Sequence, residues 1–213
     1  MVKTALYLGT DPSYYVSESK IIHYPIIQII PKELSDPKLH QVLLQLVDYT
    51  HIILTSKNAV LVFFKLVRLV HQDLTFLKKL NFFCIGDVTA HHLALEGFSP
   101  SVIAQIQTQE GLIKELGAFD LNRAFILYPR SSISRNVLAE YFISNGIKHT
   151  LCDLYDTIPA TREPDFDFSE VDEIIFTSPS TVEAFFLKFG FIPLDKKLIT
   201  VGPITAEALK RRL

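Results

Sequence analysis

At 213 residues, 48% of them apolar, the chain can form one large domain or two small ones around a real core. Its formal net charge of -2 gives no broad basic field, which excludes general nucleic-acid binding and leaves only local basic clusters to hold small anions. The opening "MVKTALYLGTD" has one lysine and turns polar before a secretory leader would end, so a cytoplasmic protein is expected.

In chain order, "TALYL" (4–8) reads as a strand, and "TDPSYYVSESK" after it does not read as a helix. The chain passes on to "HYPIIQIIP" (23–31), and then "HIILTS" (51–56) opens a series of short β-branched or aromatic runs. The others are "NFFCIG" (81–86), "SVIAQI" (101–106), "AFILYP" (124–129), "HTLCDLYDTI" (149–158), "EIIFTS" (173–178) and "LITVG" (198–202). Helical patterns fall at 57–70, 88–96, 109–117, 134–145, 179–189 and 203–212. "VLVFFKLVRLV" (60–70) is apolar, but Lys65 and Arg68 share one helical face, so it reads as an amphipathic helix on a core and no membrane contact is expected. Cys84 and Cys152 lie in apolar runs with no paired framework and read as reduced, buried thiols. Strands apolar at consecutive positions suit parallel sheets covered on both faces, and their alternation with helices predicts α/β doubly wound sheets.

The chain repeats itself. Ile52, Ile53, Thr55, Ser56, Val60, Phe63 and Phe64 fall on Ile174, Ile175, Thr177, Ser178, Val182, Phe185 and Phe186. A second pair follows each copy, with Gly86, Thr89, Ala90 and Leu93 falling on Gly202, Thr205, Ala206 and Leu209. The halves are not consecutive, because neither end of the chain holds enough strands for a sheet of its own. Residues 1–30 plus 160–213 are expected to form one discontinuous α/β domain, with 36–150 inserted as a second. The crossings run along 26–30 and 151–158, and two linkers of this kind imply a hinge and a cleft.

Ligands of open α/β sheets bind beyond the carboxyl ends of the strands, where helix N-termini present free N–H groups. The Thr–Ser and Gly-x-x-Thr motifs sit there, either as helix caps alone or as donors to an anionic ligand. "LYPRSSISR" (127–135) offers Arg130, Ser131, Ser132 and Arg135 around an expected helix start, as an anion site or a solvated loop. Phosphate-loop and dinucleotide glycine patterns are absent, no histidine or cysteine spacing suits a metal, and no nucleophile elbow occurs. Tyr155, on the second crossing strand, is either an ordinary strand tyrosine or a phenol over the cleft.

The ordered series "LTSKNAVLVF", "CIGDVTAHHL", "YPRSSISRNVLAEYF", "LYDTIP", "FTSPSTVEAF" and "TVGPITAEAL" resembles the uroporphyrinogen-III synthase family over nearly the whole chain. The resemblance implies two α/β domains on a two-stranded linker and a cleft that works without cofactor or metal. It implies a lyase of heme and other tetrapyrrole synthesis, closing hydroxymethylbilane with inversion of its last pyrrole ring through an azafulvene and a spiro intermediate. By the same match Tyr155 assists departure of the hydroxyl, and Thr55, Ser56, Thr89, Arg130, Ser178, Ser180 and Thr205 bind the substrate's carboxylates. The family usually continues past "EALKRRL" through another strand and helix, so the discontinuous domain is expected to be trimmed at its C-terminal end. A monomer is expected. The alternative is a non-catalytic ligand-binding or sensory module on the same scaffold.

Overall fold

The structure, a computed structural model, describes residues 2–213, and the chain divides into two compact units, Met1–Ile29 with Thr157–Leu213, and Ile30–Asp156. The elements are β1 (Thr4–Tyr7), β2 (Lys20–His23), β3 (Ile27–Pro31), α1 (Pro37–Leu44), β4 (His51–Leu54), α2 (Lys57–Val70), β5 (Asn81–Cys84) and α3 (Asp87–Leu95). There follow β6 (Val102–Ile103), α4 (Gln109–Leu116), β7 (Phe125–Ser131), α5 (Val137–Ser144), β8 (Lys148–Pro159), β9 (Glu173–Phe176), α6 (Pro179–Phe189), β10 (Lys197–Thr200) and α7 (Pro203–Lys210).

The larger unit is built on a six-stranded sheet of order β3-β8-β7-β4-β5-β6. The four pairs from β8 to β6 are parallel. β3 runs against β8: Lys32 N–H donates to the Leu154 carbonyl, and Ala160 N–H to that of Ile26. These two strands carry the chain between the units. One face of the sheet packs Ile53, Phe83, Ile126 and Tyr128 against Leu112, Leu116, Leu138 and Phe142 of α4 and α5. On α2, Val60, Phe63, Phe64 and Val67 are fully buried, which follows from their i, i+3, i+4, i+7 spacing. Phe64 stacks on Phe82 and Phe98.

The smaller unit holds a four-stranded sheet, β10-β9-β1-β2, parallel throughout. Leu6, Leu8, Ile174 and Phe176 point to one face, where Val182 and Phe185 of α6 and Leu209 of α7 cover them. Ala5, Tyr7 and Ile175 point to the other, where Tyr15, Ile21 and Ile199 pack on them. Tyr15 comes from the helix-free loop that joins β1 to β2, so that crossover covers its face with loop side chains.

The sequence repeat is a structural repeat, including its register. Ile52 pairs with Phe82, four residues before Gly86, and Ile174 pairs with Leu198, four residues before Gly202. Ser56 and Ser178 both cap their helices in extended conformation, with φ of -163° and -161°. The glycines differ. Gly86 is extended, and a Cβ there would lie 2.3 Å from the Gln107 side chain, whereas Gly202 sits at φ 88° with open space around it.

The second cap is reciprocal. Ser178 Oγ accepts from Thr181 N–H at 3.4 Å, while Thr181 Oγ1 accepts from the N–H groups of Thr177 and Ser178 at 3.1 and 3.2 Å. Thr181 is fully buried. Thr181→Val keeps the shape and removes these acceptors, and is expected to destabilise the smaller unit by about 1–3 kcal/mol. Urea unfolding with an unchanged midpoint would show that the cap contributes nothing.

Four segments depart from the sequence expectations. α1 and β2 were not expected: α1 buries only Leu39 and Leu43, and β2 is four residues long with exposed ends. "SVIAQI" shortens to the two residues of β6. The helix expected from 134 begins at Val137, because β7 continues through Arg130 and Ser131 in register with Asp153 and Tyr155 of β8.

Candidate functional site

A crevice forms in a parallel sheet where the strand order reverses, since the connections on either side diverge there. In the six-stranded sheet the chain moves from β4 outward to β5 and β6, then returns to β7 and β8 on the other side of β4. The reversal therefore lies between β4 and β7. In the four-stranded sheet it lies between β1 and β9. Both Thr–Ser turns border these points, Thr55–Ser56 after β4 and Thr177–Ser178 after β9. Gly9, following β1, approaches so closely that a Cβ would lie 2.8 Å from the Thr177 side chain.

At the first reversal two tyrosines of adjacent strands meet two adjacent hydroxyls. Tyr155 Oη lies 3.0 Å from Ser56 Oγ, and Tyr128 Oη lies 3.3 Å from Thr55 Oγ1. Ser56 Oγ also accepts from Ala59 N–H at 3.0 Å, as the cap of α2. Gln109 Nε2 donates to Tyr128 Oη at 3.2 Å, and Gln109 Oε1 accepts from Leu138 N–H at 3.2 Å. Both phenols are buried. Burial raises the pKa of each above the ordinary tyrosine value, against the opposing bonds from Ser56 and Thr55, so both are neutral donors at neutral pH.

Arg130 does not stand at a helix start, since it lies within β7. Its guanidinium donates to Asp153 at 2.8 Å and to Asn136 at 3.2 Å, and its carbon lies 5.8 Å from the centre of the Tyr128 ring. Arg135 makes a two-bond fork to Glu110, at 2.6 and 2.9 Å, which holds that carboxyl down at about 2. Both arginines of "YPRSSISR" are thus engaged by carboxylates of the chain. Ser132 Oγ donates to Asp156 at 2.6 Å, and Lys32 Nζ donates to the same carboxylate at 2.5 Å. This trio pins the strand that carries Tyr155, immediately after it.

Among the remaining candidates, Thr89 and Thr205 are buried in the first turns of α3 and α7, and Thr205 Oγ1 donates to the Val201 carbonyl at 3.2 Å. Ser178 and Ser180 bond to each other at 2.8 Å. The copies of the Thr–Ser turn therefore differ in wiring: Ser56 reaches a tyrosine, whereas Ser178 reaches a neighbouring serine. Tyr128, Gln109, Asp156 and Lys32 were missed from sequence. Tyr128 and Asp156 stand as polar ends in largely apolar runs, whereas Gln109 and Lys32 lie in polar surroundings that carry no such signal.

A cavity of about 510 Å³ opens elsewhere, at the amino ends of the smaller unit's strands, lined by Lys3, Ser19, Glu173 and Lys197 among others. Glu173 is buried and bonded to Lys197 at 2.9 Å and Ser19 at 3.1 Å, which together hold its pKa down. Its charge is matched within the chain, at the end of the sheet opposite to the Thr–Ser turn. Among the described residues no cluster of three or more His, Cys, Asp or Glu side chains is arranged to hold a metal ion, and no helix is long and apolar enough to cross a membrane.

The family model described as uroporphyrinogen-III synthase HemD matches residues 18–212. The porphyrin biosynthesis protein HemD of Ruminiclostridium josui is 26% identical over 99% of this chain and 41% of its own length. The chain thus spans well under half of that relative. The uroporphyrinogen-III synthase of Chlorobaculum parvum is 24% identical over 78% of this chain and 71% of its own length. Among solved structures, a mutant uroporphyrinogen III synthase of Thermus thermophilus aligns with a TM-score of 0.66 at 16% identity, over 99% of this chain and 89% of that one. That last likeness establishes the fold.

Proposed function

Because the chain belongs to the uroporphyrinogen-III synthase family, we propose that it closes the linear tetrapyrrole hydroxymethylbilane to uroporphyrinogen III with inversion of the last ring. The observation that carries this reading is the buried Tyr155 phenol bonded to the Ser56 cap at the strand reversal. A serine oxygen that already accepts from Ala59 N–H has one proton to give, and Tyr155 Oη is in reach of it. If Ser56 donates there, the phenol's own proton is left for the departing substrate hydroxyl. As the C–O bond breaks, charge developing on Oη is met by Ser56, itself tied to the positive end of α2.

The rest of the task is positional. Spontaneous closure of the substrate gives the uninverted ring, so the protein has to hold the last pyrrole for the spiro step. The substrate bears an acetate and a propionate on every ring, and Thr55, Ser178, Ser180, Thr89, Thr205 and Arg130 are proposed as groups that receive them, Thr205 by turning its proton away from the Val201 carbonyl. Arg130 would do so while still paired to Asp153, which limits it to sharing one face of its guanidinium. No cofactor or metal is part of the proposal.

The test supplies hydroxymethylbilane to the protein, oxidises the product and separates the isomers. Type III product supports the reading, and type I alone overturns it. Calorimetric binding of the cyclic product without turnover would assign the chain to the ligand-binding alternative.

A further inference from the structure

The bond directions around Gln109 can be worked out from one group whose role is not adjustable. Leu138 N–H, near the start of α5, can only donate, and it points at Gln109 Oε1 at 3.2 Å. That contact fixes the amide orientation, so Gln109 Nε2 faces Tyr128 Oη, at 3.2 Å, and must donate to it. A phenol oxygen that already accepts a bond is left with its single proton to give. Its hydrogen-bond neighbour on the sheet's carboxyl side is Thr55 Oγ1, at 3.3 Å, and the Ser134 hydroxyl also stands near it.

We propose that Gln109 and Tyr128 are positioning residues that set the polarity of Thr55. The relay runs from Leu138 N–H to Gln109, from Gln109 to Tyr128, and from Tyr128 to Thr55 Oγ1. Thr55 thereby accepts from inside the protein and keeps its own proton for a ligand at the strand reversal. It becomes a donor committed to an anion, whereas an unwired threonine would rotate and offer either character. Gln109 and Tyr128 stand behind Thr55 in this chain of bonds, so each is assigned to act through Thr55. This inference rests on the proposed reaction, because it assigns the committed donor to a substrate carboxylate.

The experiment is a double-mutant cycle read in steady-state kinetics with hydroxymethylbilane. Thr55→Val is expected to raise KM about three- to tenfold with kcat within about twofold, the signature of a lost binding contact. Tyr128→Phe is expected to do the same, and to add nothing when placed on Thr55→Val. Gln109→Glu provides the sharper variant. A carboxylate still accepts from Leu138 N–H, but it also accepts from Tyr128, which turns the relay round and makes Thr55 donate inward. Its KM is expected to rise at least to the Thr55→Val level, again with no increment from adding Thr55→Val. Ser134→Ala is expected to leave KM within about twofold of wild type.

A merely structural role for Tyr128 would lower melting temperature and active fraction, and would leave KM alone. Additive KM effects of Tyr128→Phe and Thr55→Val overturn the relay, as does transfer of the coupling to Ser134. Wild-type protein that yields no type III product overturns the proposed function, and this inference with it. Wild-type turnover with an additive cycle overturns this inference alone.

Discussion

Replacing Tyr155 by phenylalanine is expected to lower kcat about 10²- to 10⁴-fold, the range for removing a positioned general acid, while the protein stays folded. The ring remains in its buried place on β8, and Ser56 Oγ keeps its bond from Ala59 N–H, so the cap of α2 survives. Only the 3.0 Å contact between Tyr155 Oη and Ser56 is lost, a change of about 1 kcal/mol for a single hydrogen bond. Single-turnover kinetics with separation of the isomers, beside a thermal melt, measures both effects. Turnover near that of wild type would remove Tyr155 from the chemistry. The pH dependence carries a sign of its own. Burial raises the phenol's pKa above its ordinary 10.0, and the acid form is the active one, so activity should persist past pH 10 and fall only as pH rises through the raised value. An alkaline loss centred below 10 would point to another group.

Phe185→Ala is the largest stability change expected, about 3–5 kcal/mol for deleting a fully buried phenyl ring. Phe185 packs on Phe176 at 5.4 Å and Phe189 at 4.6 Å, with Phe168 at 6.1 Å. It belongs to the core beneath α6 and α7, which a four-stranded sheet and two helices must close between them. Against a typical domain stability of about 5–15 kcal/mol, that loss removes roughly a fifth at the least. Hydrogen exchange should show the backbone of β9 and β10 opening earlier, while β4 and β5 keep their wild-type protection. Equal acceleration in both sheets would mean that the two units unfold as one.

The central strands were legible because they are buried on both faces, and the helices because one apolar face packs on those strands. "HIIL" and "EIIF" announce themselves by consecutive apolar positions, and the helices after them by Phe63, Phe64 and Phe185 at helical spacing. Elements that contribute little to the core left no such trace. β2 has only partly buried residues between exposed ends, and α1 shows two buried leucines, although Asp36 before Pro37 carries the chemistry of a capped helix start. The candidate site was legible where a motif repeats, as at Thr55, Ser56 and Ser178. It was illegible where a residue matters through a partner distant in sequence. Nothing near position 109 says that its amide will meet a tyrosine nineteen residues on, and nothing in "YPRSS" says that Arg130 will be claimed by Asp153 of the neighbouring strand.

The two glycines that open α3 and α7 leave the duplicated turns with different prospects for divergence. At position 86 the obstacle to a side chain is another side chain, the exposed Gln107, which can swing aside at the loss of its 3.2 Å bond to Asp87. Gly86→Ala is therefore expected to be mild, and a smaller residue at 107 should suppress whatever damage remains. At position 202 the obstacle is the backbone angle itself, in a region that only glycine occupies without a penalty of about 1–3 kcal/mol. Nothing stands within 4 Å of the missing Cβ, so there is no neighbour to trim and no second-site suppressor to find. One copy of the turn can drift by compensated pairs of changes, and the other cannot leave glycine without first remaking its turn.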